Sequence, residues 1–303
     1  MFDFLKSEGI SEELLQEVRA FRNSYAGEER DSRRRTSPRY YYYGKAIWEQ
    51  AITAVLAGEN ILLSGPKATG KNVLAENLAV LFDRPQYDVS FHVNTDAAGL
   101  LGADTYGNGR VYLRKGPVYR CAESGGFGIL DEVNMARNES LAVLHAVLDY
   151  RRVIDMPGYD RIELHPAARF IGTMNYGYAG TRELNEALTS RFVVIDMPRL
   201  APEGIVKLLT YEFPTLRAAY ADQLARLFEE IQTKCESGEL STKTLDLRGL
   251  LEAARLMKYG LNCTGALELG LVNKSFDEYE KQLVRDVIAS RFPPQLRAAE
   301  LFD

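Results

Sequence analysis

Between a short apolar run, Ile61, Leu62 and Leu63, and a stretch whose leucines recur at helical spacing, Leu74, Leu78 and Leu81, eight residues stand in succession. They are Gly65, Pro66, Lys67, Ala68, Thr69, Gly70, Lys71 and Asn72, and Val73 continues into the leucine-spaced stretch. A glycine-framed turn joining a strand to a helix lets backbone N–H groups close around an anion, and a lysine at its end supplies the countercharge. The frame is that of a phosphate-binding loop, with Lys71 as the charge. It demands a buried strand before it and a helix packed behind it, which is the unit of an α/β layer with a parallel sheet. Its final letter departs from the pattern: Asn72 stands where Ser or Thr normally offers a hydroxyl to Mg²⁺. An amide oxygen is also a hard ligand, so Asn72 is expected to serve the metal through Oδ1, directly or through water. A chance glycine-rich turn before a helix carries the same letters, so the rest of the chain must decide.

At 303 residues, 46% apolar and 26% charged, the chain can bury a full core in one large or two modest domains. No apolar run approaches the roughly 20 residues needed to cross a bilayer, and the segment Met1 to Ile10 lacks a basic-then-apolar leader pattern. A cytoplasmic protein without a membrane partner is the expectation. Cys121, Cys235 and Cys263 are widely spaced and odd in number, which points to free thiols rather than a disulfide or zinc site. A net charge of −5 gives no bulk attraction to phosphate backbones and counts against nucleic acid as the main partner.

Three regions follow from the patterning. Residues 1–38 combine an amphipathic segment (Leu14, Leu15, Val18, Phe21) with a charged stretch ending in Arg33, Arg34 and Arg35, and read as a helical extension and solvated linker. Residues 39–200 alternate apolar runs with helical patterns, the mark of an α/β nucleotide-binding domain with a parallel sheet. Residues 201–303 keep only helical periodicity, broken by Pro214, Gly238 and the stretch from Gly260 to Gly265, and read as a C-terminal helical lid.

Two further runs carry chemistry. From Gly125 to Glu132 an apolar strand pattern ends in Asp131 and Glu132, which in a parallel sheet puts both acids at the strand tip beside the phosphate loop. Asp131 there suits a metal ion and Glu132 the water that attacks a γ-phosphate, although paired acids also end many solvated loops. From Arg169 to Asn175 another apolar strand ends in an amide able to bond the attacking water or the γ-phosphate; a turn-forming asparagine has the same signature. Arg191 closes a helical stretch before Val193, Val194 and Ile195, a place where an arginine also complements a helix dipole.

In this order and spacing the runs resemble ring-forming AAA+ ATPases, in particular the MoxR-like group with its dynein-related and CbbQ/NorQ relatives, from about Tyr40 to Met257. The resemblance implies a P-loop three-layer sandwich followed by a helical lid, with ATP and Mg²⁺ as ligands. It implies Lys71 as the Walker A lysine, Asp131 and Glu132 as the Walker B pair and Asn175 as sensor 1. Arg191 becomes the finger acting across a subunit boundary, with Arg182 as its rival, and Arg248 in the nucleotide site becomes sensor 2. The family also implies a homo-oligomeric ring, a hexamer, that remodels a protein client, with a von Willebrand A domain protein as companion.

The same resemblance accounts for inserted hairpins near 93–116 and 151–164, the second turning at Pro157 and Gly158. Tyr106 and Tyr112 in the first are candidate client contacts, ordinary hairpin packing being the alternative. Tyr40 to Tyr43 lie where similar ATPases cover the adenine, with simple packing of the domain's first helix as the other reading. Two other classes stay open: a nucleotide-bound switch without turnover, motivated by Asn72, and a nucleic-acid motor, motivated by Arg33 to Arg35 with Arg110, Arg114, Lys115 and Arg120.

Overall fold

The computed structural model describes residues 1–26, 33–107, 109–176, 184–294 and 296–303. Nine strands occur among them: β1 Ile61–Gly65, β2 Gln86–Ser90, β3 Gly102–Gly107, β4 Arg110–Lys115, β5 Phe127–Asp131, β6 Val153–Ile154, β7 Ile162–Glu163, β8 Arg169–Asn175 and β9 Val193–Asp196. Five of them form a parallel sheet in the order β2-β5-β8-β1-β9. Alternation along each central strand sends residues to opposite faces. Ile61, Leu63, Ile129 and Ile171 join one core, with Trp48, Ile52, Leu74 and Leu78 from helices Lys45–Leu56 and Lys71–Leu81. Leu62, Leu130 and Phe170 join the other, with Val118 and Cys121 of helix Pro117–Ser124 and with Leu141 and Leu144. A parallel sheet covered on both faces by helices is the three-layer arrangement that the phosphate loop demanded.

The amino-terminal segment does not stand apart from this layer. Helices Phe2–Ser7 and Glu12–Ser24 bury Leu5, Leu15 and Val18 in the same core as Trp48 and Leu74. In the arginine run Arg33 and Arg35 are exposed, as in a solvated linker, whereas Arg34 packs. Arg34 lies over the Tyr87 ring, 4.6 Å from its centroid, and donates to the Gln86 carbonyl of edge strand β2 at 3.3 Å, while Arg35 pairs with Asp83. Guanidinium faces stack on aromatic rings while their edges donate hydrogen bonds, so a charge run can pack rather than float.

The stretch after β2 holds the antiparallel pair β3 and β4, and Tyr106 near its tip is 75% exposed. Strands β6 and β7 form a second antiparallel pair, and Tyr159 between them donates its hydroxyl hydrogen to Asp104 of β3. The chain divides into two compact units, residues Met1–Pro66 with Gly70–Pro198, and Lys67–Thr69 with Arg199–Asp303. The second is helical: Pro202–Glu212, Ala218–Glu236, Leu247–Lys258, Cys263–Gly270, Glu278–Arg291 and Ala298–Leu301. Its helices are joined by Arg285–Glu268 and Arg291–Glu230 ion pairs. Cys121, Cys235 and Cys263 are free thiols, the first and last of them buried. No helix among the described residues is long and apolar enough to cross a membrane.

Candidate nucleotide site

Strand β1 ends at Gly65, where a side chain has no room: a Cβ would stand 2.7 Å from the Met197 carbonyl oxygen. Pro66, Lys67, Ala68 and Thr69 then turn the chain, with Ala68 at φ 63° and Gly70 at φ 83°, both left-handed. Gly70 tolerates that conformation freely, whereas for Ala68 it costs on the order of 1 kcal/mol, a strain typical of sites whose backbone must face a ligand. Helix Lys71–Leu81 starts at once, and no side chain caps it. Its first N–H groups and the positive end of its dipole are therefore directed at the loop, as anion binding requires.

Tyr42, from the aromatic run, and Asn77, which the sequence reading missed, hold the loop in this shape. The Tyr42 ring lies against Gly70, 3.1 Å from where a Cβ would be, and burial pushes the Tyr42 phenol up to about 12. Asn77, wholly buried in the helix behind the loop, accepts from Tyr42 N–H at 3.0 Å and donates to the Tyr40 carbonyl at 2.8 Å. An amide on the leucine-lined face of a helix was the available signal, because a buried amide must find partners. Of the aromatic run only Tyr42 is buried; Tyr41 stacks on Phe4 at 4.4 Å and Tyr43 meets the same ring edge-on.

Lys71, 6% exposed, donates to the Gly65 and Pro66 carbonyls at 3.0 and 2.6 Å. Burial lowers its ammonium to about 8, opposed by the charges of Asp131 and Glu132. Asn72 is half-buried at the second position of the helix, and its side chain makes no hydrogen bond among the described residues; Val73 packs against the core.

The acids stand at the carboxyl end of β5, with Asn175 at the carboxyl end of adjacent β8 and in register with Gly65. Thr173 organises them. Its hydroxyl donates to Asp131 Oδ1 at 2.6 Å and accepts from the Glu132 N–H at 3.0 Å. That second bond holds Glu132 at the turn out of the strand, where its backbone is left-handed at φ 54°. Asn175 Nδ2 donates to Glu132 Oε1 at 3.2 Å, and Asn134 Nδ2 donates to the Asn175 carbonyl at 2.9 Å. Thr173 and Asn175 share a face of β8 by strand alternation, and a hydroxyl within an apolar strand, here 1% exposed, needs partners; its place two residues before Asn175 was the overlooked signal.

Arg191 follows helix Glu186–Thr189 and is held within the α/β unit by the His145 carbonyl at 3.1 Å, the Ala187 carbonyl and Asp149 at 3.6 Å. Arg182 lies outside the described residues. Arg248 is exposed in the first turn of helix Leu247–Lys258 of the helical unit, where Asp246 caps its N–H at 3.1 Å.

A loop opening onto an uncapped helix, with a buried lysine under the field of two strand-tip carboxylates, defines a P-loop nucleotide-binding protein. Residues 60–192 match the AAA domain of the dynein-related subfamily. The chain is 32% identical over 288 residues to the uncharacterized protein YojN of Bacillus subtilis, covering 93% of this chain and 94% of that one. It is 30% identical to SH1500 of Staphylococcus haemolyticus over 84% of this chain and 98% of that one. With SAUSA300_1302 of Staphylococcus aureus the identity is 33%, over 77% and 91%. A solved structure from Cytophaga hutchinsonii aligns with 90% of this chain and 96% of its own at 15% identity, with a TM-score of 0.45, too loose a superposition to bear on function. The chain belongs to the AAA+ ATPases, in the family of YojN, with an AAA domain of the dynein-related type.

Proposed function

We propose that the chain hydrolyses ATP with Mg²⁺ as a MoxR-like ring, in which Arg191 of one copy completes the site of the next. The observation that carries this reading is the convergence at one sheet edge of Lys71, Asp131, Glu132 and Asn175, with Asn175 bonded to Glu132 and Lys71 under the field of both acids. Lys71 neutralises the β- and γ-phosphates in exchange for its two loop carbonyls. Glu132 accepts a proton from the attacking water, and the Asn175 amide holds Glu132 or that water in line. Departure of the phosphoryl group leaves charge on its oxygens, to which Arg191 from the neighbouring copy is directed.

The donor set fits a magnesium ion. Among the described residues no group of three or more His, Cys, Asp and Glu could hold a metal, and Mg²⁺ ordinarily takes one or two protein oxygens plus phosphates. In this reading Asp131 and Asn72 would hold the ion, which would supply neutralisation of phosphate charge.

A head-to-tail contact closes into a ring when its rotation permits, and the MoxR-like resemblance makes that ring a hexamer. The same resemblance supplies the output, remodelling of a client protein alongside a von Willebrand A domain companion, with Arg248 sensing nucleotide and the exposed Tyr106 and Tyr112 meeting the client. Turnover is expected to vanish in both Glu132→Gln and Arg191→Ala proteins while ADP binding persists. Mixed rings of the two should regain part of it, since one supplies the finger and the other the base. Full turnover by Arg191→Ala would refute the assignment of the finger. Nucleotide binding by the parent without turnover would select the switch reading instead. Salt-sensitive stimulation by DNA or RNA would select the motor.

A further inference from the structure

Resting on the assignment of Arg191 as the finger, we propose that Asp149 is a positioning residue that stores Arg191 inside its own subunit until a neighbour's nucleotide displaces it, and that Arg151 sets the strength of the store by sharing the same carboxylate. Every nitrogen of the Arg191 guanidinium is engaged within the chain: Nε by the His145 carbonyl at 3.1 Å, Nη1 by the Ala187 carbonyl, and Nη2 by Asp149 Oδ2 at 3.6 Å. Its side chain is only 22% exposed. An arginine in this state cannot also reach a γ-phosphate; it must exchange partners.

The exchange is favourable because its anchors are weak competitors. Two are neutral carbonyls, and the third is a carboxylate whose nearer partner is another cation. Arg151 holds Asp149 tightly, with Nη2 on Oδ2 at 2.6 Å, Nε on both oxygens at 3.1 Å, and its backbone N–H on Oδ1 at 3.0 Å. Those hydrogen bonds keep the Asp149 carboxyl below its usual range, with the charge of Arg191 adding to the effect. Asp149 Oδ2 thus lies 2.6 Å from one guanidinium and 3.6 Å from the other. A γ-phosphate offers more charge and three oxygens in place of one shared oxygen, so the guanidinium transfers to it once a loaded neighbour arrives.

The sharing makes the two substitutions act in opposite directions. Asp149→Asn removes the anchor and frees Arg191, whereas Arg151→Gln leaves the carboxylate to Arg191 alone and tightens the store. The test measures ATP turnover of the full chain against protein concentration at saturating ATP and Mg²⁺, with the thermal midpoint of each variant alongside. Asp149→Asn should lower the protein concentration for half-maximal turnover by about two- to fivefold, the factor that a single partly exposed ion pair is worth. Arg151→Gln should raise it by a similar factor, and Asp149→Glu, which keeps the charge, should lie near the parent. Shifts of Asp149→Asn and Arg151→Gln in the same direction, or none in either, overturn the proposal. If Asp149→Asn does not fold, Arg151→Gln and Asp149→Glu carry the test, and a lowered or unchanged concentration in Arg151→Gln overturns it. Full turnover by Arg191→Ala overturns the finger reading itself; its loss, with no opposed shifts, overturns only the store.

Discussion

Replacing Thr173 with valine tests the bracket that joins the two strand-tip acids. The substitution keeps the branched shape and removes one hydroxyl, which severs the 2.6 Å bond to Asp131 and the 3.0 Å bond from the Glu132 N–H. A hydrogen bond to a charged group contributes about 1.5–3 kcal/mol and a neutral one about 0.5–1.5 kcal/mol. Asp131 and Glu132 are only partly buried, so water recovers some of both bonds. We expect a net loss of about 1.5–3 kcal/mol, with the hydroxyl and not the volume responsible. For a folding unit of this size that corresponds to a fall of about 3–10 °C in the melting midpoint. Denaturant titration of the full chain measures the free energy, and Thr173→Ser, which retains the hydroxyl, serves as the partner variant. The valine protein should also lose turnover, because Glu132 departs from the turn that its N–H bond maintains. A valine variant within about 0.5 kcal/mol of the parent, the range of inconsequential surface changes, would refute the reasoning.

Three other outcomes follow from the site. Lys71 stays protonated in the unliganded protein only below about 8, so ADP affinity should be flat up to that pH and then fall about tenfold per pH unit, while Lys71→Met binds weakly with no such slope. His145 is held below its ordinary range by burial and then by the Arg191 charge, and its buried Nε2 has no hydrogen-bond partner among the described residues. The unfolded chain therefore binds that proton first, so stability should decline as pH drops below about 6.5, and His145→Gln should flatten the decline in acid denaturation curves. Asn72→Ala should raise the Mg²⁺ concentration needed for half-maximal ATP binding and Asn72→Thr should not, in a fluorescent-nucleotide titration; equal Mg²⁺ dependence in all three proteins removes Asn72 from the metal shell.

Much of the site was legible because its signals are local. A strand that runs apolar into Asp131 and Glu132 announces its own direction, and so does one ending at Asn175. Strand order was not legible: nothing in the letters says that β1 lies between β8 and β9, since that depends on which helices cross which face. The packing of Arg34 was not legible for a related reason. Stacking of Arg34 on Tyr87 joins residues far apart in the sequence, and cation–π contacts leave no periodic trace. The amphipathic first helices showed that an apolar face existed, but amphipathicity does not say what covers it; here it is the core around Trp48. Asp149 escaped notice because an acid shortly before two arginines, Arg151 and Arg152, looks solvated until the fold brings Arg191 onto it.

The contacts around the reacting groups have a common physical cause. A buried charge without a partner is too costly for a marginally stable fold, so a chain that must fold before its nucleotide arrives has to satisfy each group internally. Lys71 is satisfied by two carbonyls of its own loop, Glu132 by the Asn175 amide at 3.2 Å, and Arg191 by two carbonyls and a shared carboxylate. Most of these stand-ins are neutral dipoles, and the one charged stand-in is divided between two cations. Each is strong enough to prevent an orphaned charge and weaker than a phosphate or a properly held water. Asp131 is the exception, since Thr173 binds only its Oδ1, and that bond can persist while the carboxylate takes up a cation through its other oxygen. On the proposed reading, the interactions that let the empty subunit fold are therefore the ones nucleotide and neighbour must exchange, and their modest strength keeps that exchange downhill.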